Sequence, residues 1–202
     1  MVEPTIPTDV VESPDQRRRG YPFRSGSVVL DFVATVAKRD IADRELLTSP
    51  AALVEWTYVA GLPAITEPVT ANDLRAAHDL REALNRLTRC RIRDSSPQPV
   101  DVNTVNHHAR SLPAHRELTS AGDATVDGAP VDAAAILAVI AIEAVELFGG
   151  KTHDRIRLCA GHDCSLYFVD RSRLGNRMWC SMAVCGVKNS SARYRSRRRS
   201  PV

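Results

Sequence analysis

Cys159-Ala-Gly-His-Asp-Cys164, then fifteen residues, then Cys180-Ser-Met-Ala-Val-Cys185 is the stretch on which the reading of this chain turns. Two Cys-x4-Cys knuckles at this separation let four thiolates converge tetrahedrally on a soft, closed-shell cation, and Zn²⁺ is the default ion. Cys90, the fifth cysteine, stands alone far upstream. An odd count and an N-terminus without a secretory pattern argue for metal ligands over a disulfide framework. A thioredoxin-like redox pair fits poorly, because its cysteines are two apart. Four protein ligands leave no open coordination position. The expectation is therefore one structural Zn²⁺ on Cys159, Cys164, Cys180 and Cys185. His162 could replace one ligand and iron could replace zinc, but an exposed His162 and zinc are the expected arrangement.

Outward from the knuckles, Leu166 to Val169 reads as a strand, with turns at Asp170-Arg-Ser172 and Gly175-Asn176. Arg177 to Cys180 reads as the return strand, and Tyr167, Phe168 and Trp179 as a small core beside the metal. A helix is expected from about Val187 to Arg199. Lys188, Ala192, Arg195 and Arg199 share one of its faces.

Charge divides the chain at the same place. Residues 1–150 hold 15 Lys/Arg against 21 Asp/Glu, whereas residues 151–202 hold 12 against three. The overall net charge of +3 thus hides an acidic part and a strongly basic one. Such asymmetry suits one module that meets a polyanion beside another with a different task, although a basic tail can also be merely solvated.

The 202 residues suit one medium domain plus a small appendage, and 44% hydrophobic with 25% charged residues is ordinary globular composition. The longest apolar run, Ala133 to Ile142, is about half a membrane span. Residues 1–23, with four prolines and Arg17-Arg-Arg19, read as a flexible arm. From Val28, apolar residues at three- and four-residue spacing predict a helix ending near Arg39-Asp40. Ser49-Pro50 opens a second helix that Gly61 stops, and Thr70 with Asp73 opens a third whose buried stripe is Leu74 to Leu87, with Arg75, Arg81, Glu82 and Arg86 facing water. A short helix over about Val102 to Arg110 and a hairpin within Leu112 to Val126 follow. Asp132 then caps a helix, apolar on more than one face, that ends at Gly149-Gly150 and should be the central one. Phe32, Trp56, Leu80, Leu84, Ile136 and Ile140 are the expected core. His107, His108, His115 and His78 match no metal or catalytic spacing. No phosphate loop, nucleophile elbow or carboxylate pair appears, so an enzyme is not expected.

The C-terminal segment resembles the CGNR zinc-finger family. The matching residues are Phe168-Val-Asp170-Arg171-Ser172, Trp179-Cys180-Ser181-Met182, Cys185-Gly186 and Ala192-Arg193-Tyr194-Arg195. The upstream part resembles that family's ABATE-type N-terminal domain at Leu30-Asp-Phe-Val-Ala-Thr35, at Leu47-Thr-Ser-Pro50 through Trp56, at Ala60-Gly61-Leu62, and along Leu74 to Leu87. The resemblance implies a bacterial, stress-related transcription regulator, with a DNA-binding zinc domain and an N-terminal domain that senses a ligand. Two positions depart from the pattern: Val187-Lys188 stands where the family has Asn-Arg, and Ala34 where it has Asn. Lys188 keeps the charge but loses the guanidinium fork.

The fold expected is mainly α: a flexible arm over residues 1–23, an ABATE-like helical domain over 24–150, and a zinc-bound β-hairpin plus basic helix over 151–202. The function expected is a cytoplasmic regulator that binds double-stranded DNA and no membrane, with a small-molecule effector and a homodimer as further partners. Lys188, Arg193, Arg195, Arg197, Arg198 and Arg199 are the expected DNA contacts, chiefly to phosphate. The alternative is a zinc-stabilised protein-interaction adaptor, which would show an exposed apolar patch at the last helix.

Overall fold

The computed structural model describes residues 17–111, 116–122, 124–126 and 130–191. Five helices carry the larger part: α1 (Val28–Val33), α2 (Pro50–Val59), α3 (Ala71–Ile92), α4 (Pro99–Ala109) and α5 (Ala133–Gly149). Their starts follow local chemistry. Ser49 accepts from the Ala52 amide with Pro50 at the first helical position. Thr70 and Asp73 form a reciprocal capping box, and Asp132 accepts from the Ala135 amide at 2.8 Å. Such caps satisfy amides that have no partner within the helix. α4 begins at Pro99, earlier than the apolar spacing indicated, because proline at the first position needs no hydrogen bond for its missing N–H.

α3 packs against α1, α2, α4 and α5, so it shares the centre with α5, which was expected to hold it alone. Phe32, Trp56, Leu80, Leu84, Ile136 and Ile140 are all fully buried, as the sequence indicated. Phe32 and Trp56 meet at 5.0 Å between ring centroids, a tilted pairing typical of buried aromatics.

Two expectations fail in the N-terminal third. The arm does not extend to residue 23, because β1 (Arg17–Arg18) pairs with β2 (Tyr21–Pro22) and buries Tyr21. Residues 1–16 lie outside the described residues. The first helix also stops at Val33 and not near Arg39. β3 (Val36–Ala37) instead pairs with β4 (Arg44–Glu45). Tertiary contacts decide this. Arg81, expected to face water, is buried and donates to both carboxylate oxygens of Glu45 at 2.7 Å, and also to the Thr35 hydroxyl at 3.2 Å. Glu82 then bridges Arg81 to Arg39. A helix continuing through Thr35 would move these partners off the guanidinium. Farther on, β5 (Arg116–Leu118) and β6 (Ala124–Val126) form the expected hairpin.

Beyond α5, a single 3-10 turn at His153–Arg155 leads into β7 (Ile156–Leu158), which pairs antiparallel with β8 (Tyr167–Val169). The zinc-segment hairpin therefore exists, but its partner strand precedes the first cysteine. The expected return strand at 177–180 is instead held through single bonds, such as the Ala160 amide to the Met178 carbonyl at 2.8 Å. Alternation along β8 sends its side chains two ways. Tyr167 and Val169, with Ile156, join the core of the helical domain, and the Tyr167 hydroxyl donates to Asn85 at 3.3 Å. Phe168 points into a second cluster with Ala34, Leu166 and three of the cysteines.

Candidate metal centre and basic segment

Each knuckle is shaped by backbone bonding around its cysteines. Cys159 follows β7 and continues its ladder, its amide donating to the Leu166 carbonyl at 2.9 Å. The first knuckle closes when the Cys164 amide donates to the Gly161 carbonyl at 3.0 Å. Gly161 leaves little room for a side chain, since a Cβ there would lie 3.2 Å from the Cys164 Cβ and 3.3 Å from the Cys185 Cβ. The second knuckle is a wide helical turn at Met182–Gly186. Ser181 caps it, accepting from the Val184 amide at 3.3 Å.

The four sulfurs lie within 4.8 Å of one another. Cys164 and Cys180 are 3.8 Å apart at sulfur, and Cys180 and Cys185 are 3.7 Å apart. Ligands about 2.3 Å from a tetrahedral zinc are separated by about 3.8 Å along each edge, so the cluster matches the geometry of the ion. The Cys180 amide also donates to the Cys159 sulfur at 3.4 Å. Thiol hydrogen bonds from Cys164 and Cys180 hold Cys159 far below the usual thiol range, and bonding to Cys159 pushes Cys164 and Cys180 up. A divalent cation removes that conflict by stabilising every thiolate at once. The donor set and its spacing fit one structural Zn²⁺. His162 is exposed and outside the cluster.

Around the cluster sit residues whose roles the sequence reading missed. Asp170 is buried and accepts from the Ser172 amide at 2.9 Å and the Arg177 amide at 2.8 Å. Burial works to raise its pKa, but these bonds prevail and hold it below the usual carboxylate range. Arg177 donates to the Trp179 carbonyl at 2.7 Å and to the Cys180 carbonyl, with its guanidinium 5.2 Å from the centre of the Phe168 ring. It braces the second knuckle from inside. Trp179 is partly buried against the cluster, so of the three aromatics expected beside the metal, only Tyr167 belongs elsewhere.

Past the wide turn, residues 187–191 are helical, and Lys188 is exposed on them. Arg193, Arg195, Arg197, Arg198 and Arg199 lie outside the described residues. Met178, Met182 and Val187 are each more than half exposed on the same segment. Ala34 is buried against the cysteine cluster, so this departure from the family pattern sits in the apolar shell of the metal.

The helical part holds a cavity of about 270 Å³ between α3, α4 and α5, with Leu87, Val105 and Phe148 among its walls and half-buried Cys90 on one side. A second, of about 240 Å³, lies where the β3–β4 turn and the end of α3 meet the residues around Cys164.

Comparison with protein families matches residues 26–151 to the ABATE profile, described as "Putative stress-induced transcription regulator". The chain belongs to the ABATE family. Residues 155–198 match the CGNR zinc finger, and that match contains all four clustered cysteines. Neither family is described as enzymatic. No curated protein matches this sequence. No helix among the described residues is long and apolar enough to cross a membrane.

Proposed function

We propose that this ABATE-family chain is a cytoplasmic transcription regulator that binds double-stranded DNA through its CGNR finger, while its helical domain responds to a small ligand. Cys159, Cys164, Cys180 and Cys185 hold the zinc, which supplies no chemistry beyond fixing the finger. One observation carries the reading. The metal cluster leads into a helical stretch at 187–191, with Lys188 exposed, and the sequence that follows it holds five arginines between 193 and 199. A metal-anchored turn that fixes the origin of a basic helix places several cations along a phosphate backbone. Lys188, Arg193, Arg195, Arg197, Arg198 and Arg199 are the proposed contacts. No amide reader other than Asn189 lies beside them, so they act on phosphate more than on bases. A homodimer offers two such segments to one duplex and raises affinity without new contacts.

Fluorescence anisotropy of zinc-loaded protein with duplex DNA across a salt series tests this reading. Six neutralised phosphates give a log–log slope of about −5, and Arg195→Ala reduces its magnitude by about 1 on specific and unrelated duplexes alike. A slope near zero, or no association at low salt, refutes it. The exposed Met178, Met182 and Val187 favour a second reading, an adaptor whose finger docks on a protein. Failure of the salt series promotes that reading.

A further inference from the structure

The cavity between α3, α4 and α5 carries Arg91, Ser95 and Asn106 beside its apolar walls, but Arg91 already donates to the Phe148 carbonyl, and nothing there identifies an occupant. The junction cleft is different. Among the described residues, Arg39, Arg89 and Arg93 line it, with Asp40 as the only acidic side chain in its wall. Arg39 gives its two terminal nitrogens to Glu82 at 2.8 and 3.0 Å, and Arg89 donates to Asp40. In both arginines the Nε–H is buried with no hydrogen-bond partner. A guanidinium has five N–H donors, and the paired carboxylates, with the Tyr167 hydroxyl at Arg89, satisfy only part of that capacity. Arg93 is exposed at the rim, and among the described residues no carboxylate pairs with it.

Apolar surface lies beside these cations. Ile41, Ile92 and Leu158 are 52%, 37% and 50% exposed in the same wall. The turn that presents Arg39 and Ile41 is fixed, because the Lys38 carbonyl accepts from the amides of Ile41, Ala42 and Asp43. Lys38, Asp40 and Asp43 all hold φ between 40° and 61°, a left-handed conformation that non-glycine residues adopt at a cost. Cys164 and Tyr167 also line the cleft, so an occupant would touch the helical domain and a metal ligand together.

We infer that this cleft binds a small organic anion with an apolar body, its head group beside the three guanidinium groups and its body over Ile41, Ile92 and Leu158. Resting on the regulator reading above, this anion is the effector. An uncharged molecule leaves Arg93 without an acceptor, and an inorganic anion leaves the apolar wall wet. The arrangement rewards a ligand that has both parts.

The probes are hexanoate, hexanol and inorganic phosphate, titrated calorimetrically into full-length, zinc-loaded protein without DNA. Hexanoate is expected to bind saturably at one site per chain, and more tightly than either partial mimic. Arg93→Ala weakens it about five- to tenfold, the range of a partly exposed charge-assisted contact. Ile41→Glu, on an exposed turn, abolishes it with the melting temperature unchanged, and Cys90→Ser has no effect. Equal binding of hexanol and hexanoate, unchanged affinity in Arg93→Ala, or no saturable binding of hexanoate overturns the site. Anisotropy with duplex DNA, with and without hexanoate, then tests the effector role, which unchanged DNA affinity overturns. Hexanoate binding in a protein that associates with no duplex keeps the cleft as an anion site and discards the DNA reading alone.

Discussion

Phe168→Ala is the perturbation that separates the two cores of this chain. Phe168 is fully buried, and its neighbours are Cys159, Cys180, Cys185, Leu166, Ala34 and the Arg177 guanidinium. Truncating a buried phenylalanine costs about 3–5 kcal/mol, because transfer energy is lost and a cavity remains. The side of the finger around the cysteines has little core of its own, so zinc binding and the local folding around Phe168 are one equilibrium. A cost of about 3 kcal/mol therefore appears as an apparent zinc affinity weaker by about 150-fold, at about 1.4 kcal/mol per decade. Val169→Ala, one residue on, faces the helical core. It is expected to lower the thermal midpoint of the helical circular dichroism signal while zinc is retained. Competition with a chromophoric zinc chelator measures the first effect, and melting of the metal-loaded protein measures the second. If Val169→Ala releases zinc as readily as Phe168→Ala, the division of β8 between two cores is wrong.

Asp31 is buried at the start of the helical domain, where burial raises its pKa to about 6 despite the Ser25 and Arg24 hydrogen bonds that act to lower it. A carboxyl with a raised folded pKa contributes stability that is complete below its unfolded value and lost as pH rises through about 6. Asp31→Asn should therefore stabilise the protein at pH 7.5 by about 2–3 kcal/mol and hardly at all at pH 4, read from denaturant midpoints; equal effects at both pH values would count against this account. Glu45 and Glu82 run the opposite way: burial acts to raise their pKa values, but the bonds from Arg81 and Arg39 hold both low. Their contribution is present above the unfolded carboxylate range and fades as acid takes pH through the lower folded values. Arg81→Ala should cost about 2–4 kcal/mol near neutrality and flatten this acid dependence, and an unchanged urea midpoint would refute the importance of the network. Gly161→Ala should weaken zinc binding about tenfold or more, since a methyl there crowds Cys164 and Cys185; zinc affinity equal to wild type would show that the knuckle can relax.

Features set by neighbours in sequence were legible. Thr70 with Asp73, Ser49 with Pro50, and Asp132 each announce a helix through groups at most three residues apart, and the structure places caps at all three. The cysteine cluster was legible for the same reason, since two short knuckles restrict where their sulfurs can go. What escaped notice depends on distant partners. Nothing near Thr35 tells of Arg81, which lies 46 residues away and draws the chain out of its helical period. Ile156-Arg-Leu158 carries an alternating pattern directly before Cys159, a signal for β7 that the aromatic strand downstream outshone. Arg177 could not be separated by type from the other arginines of a basic segment. Only its bonds to Trp179 and Cys180 mark it as internal.

The boundary between the two family matches, at residues 151 to 155, is not a boundary of packing. Ile156, Tyr167 and Val169 complete the hydrophobic interior of the domain that precedes them. A chain cut at residue 151 would carry an open apolar wound in its flank, and its copies should adhere to one another through it. Recombination that moves such a finger onto a new partner must therefore carry a matching socket with it, or evolve one before the hybrid can remain soluble.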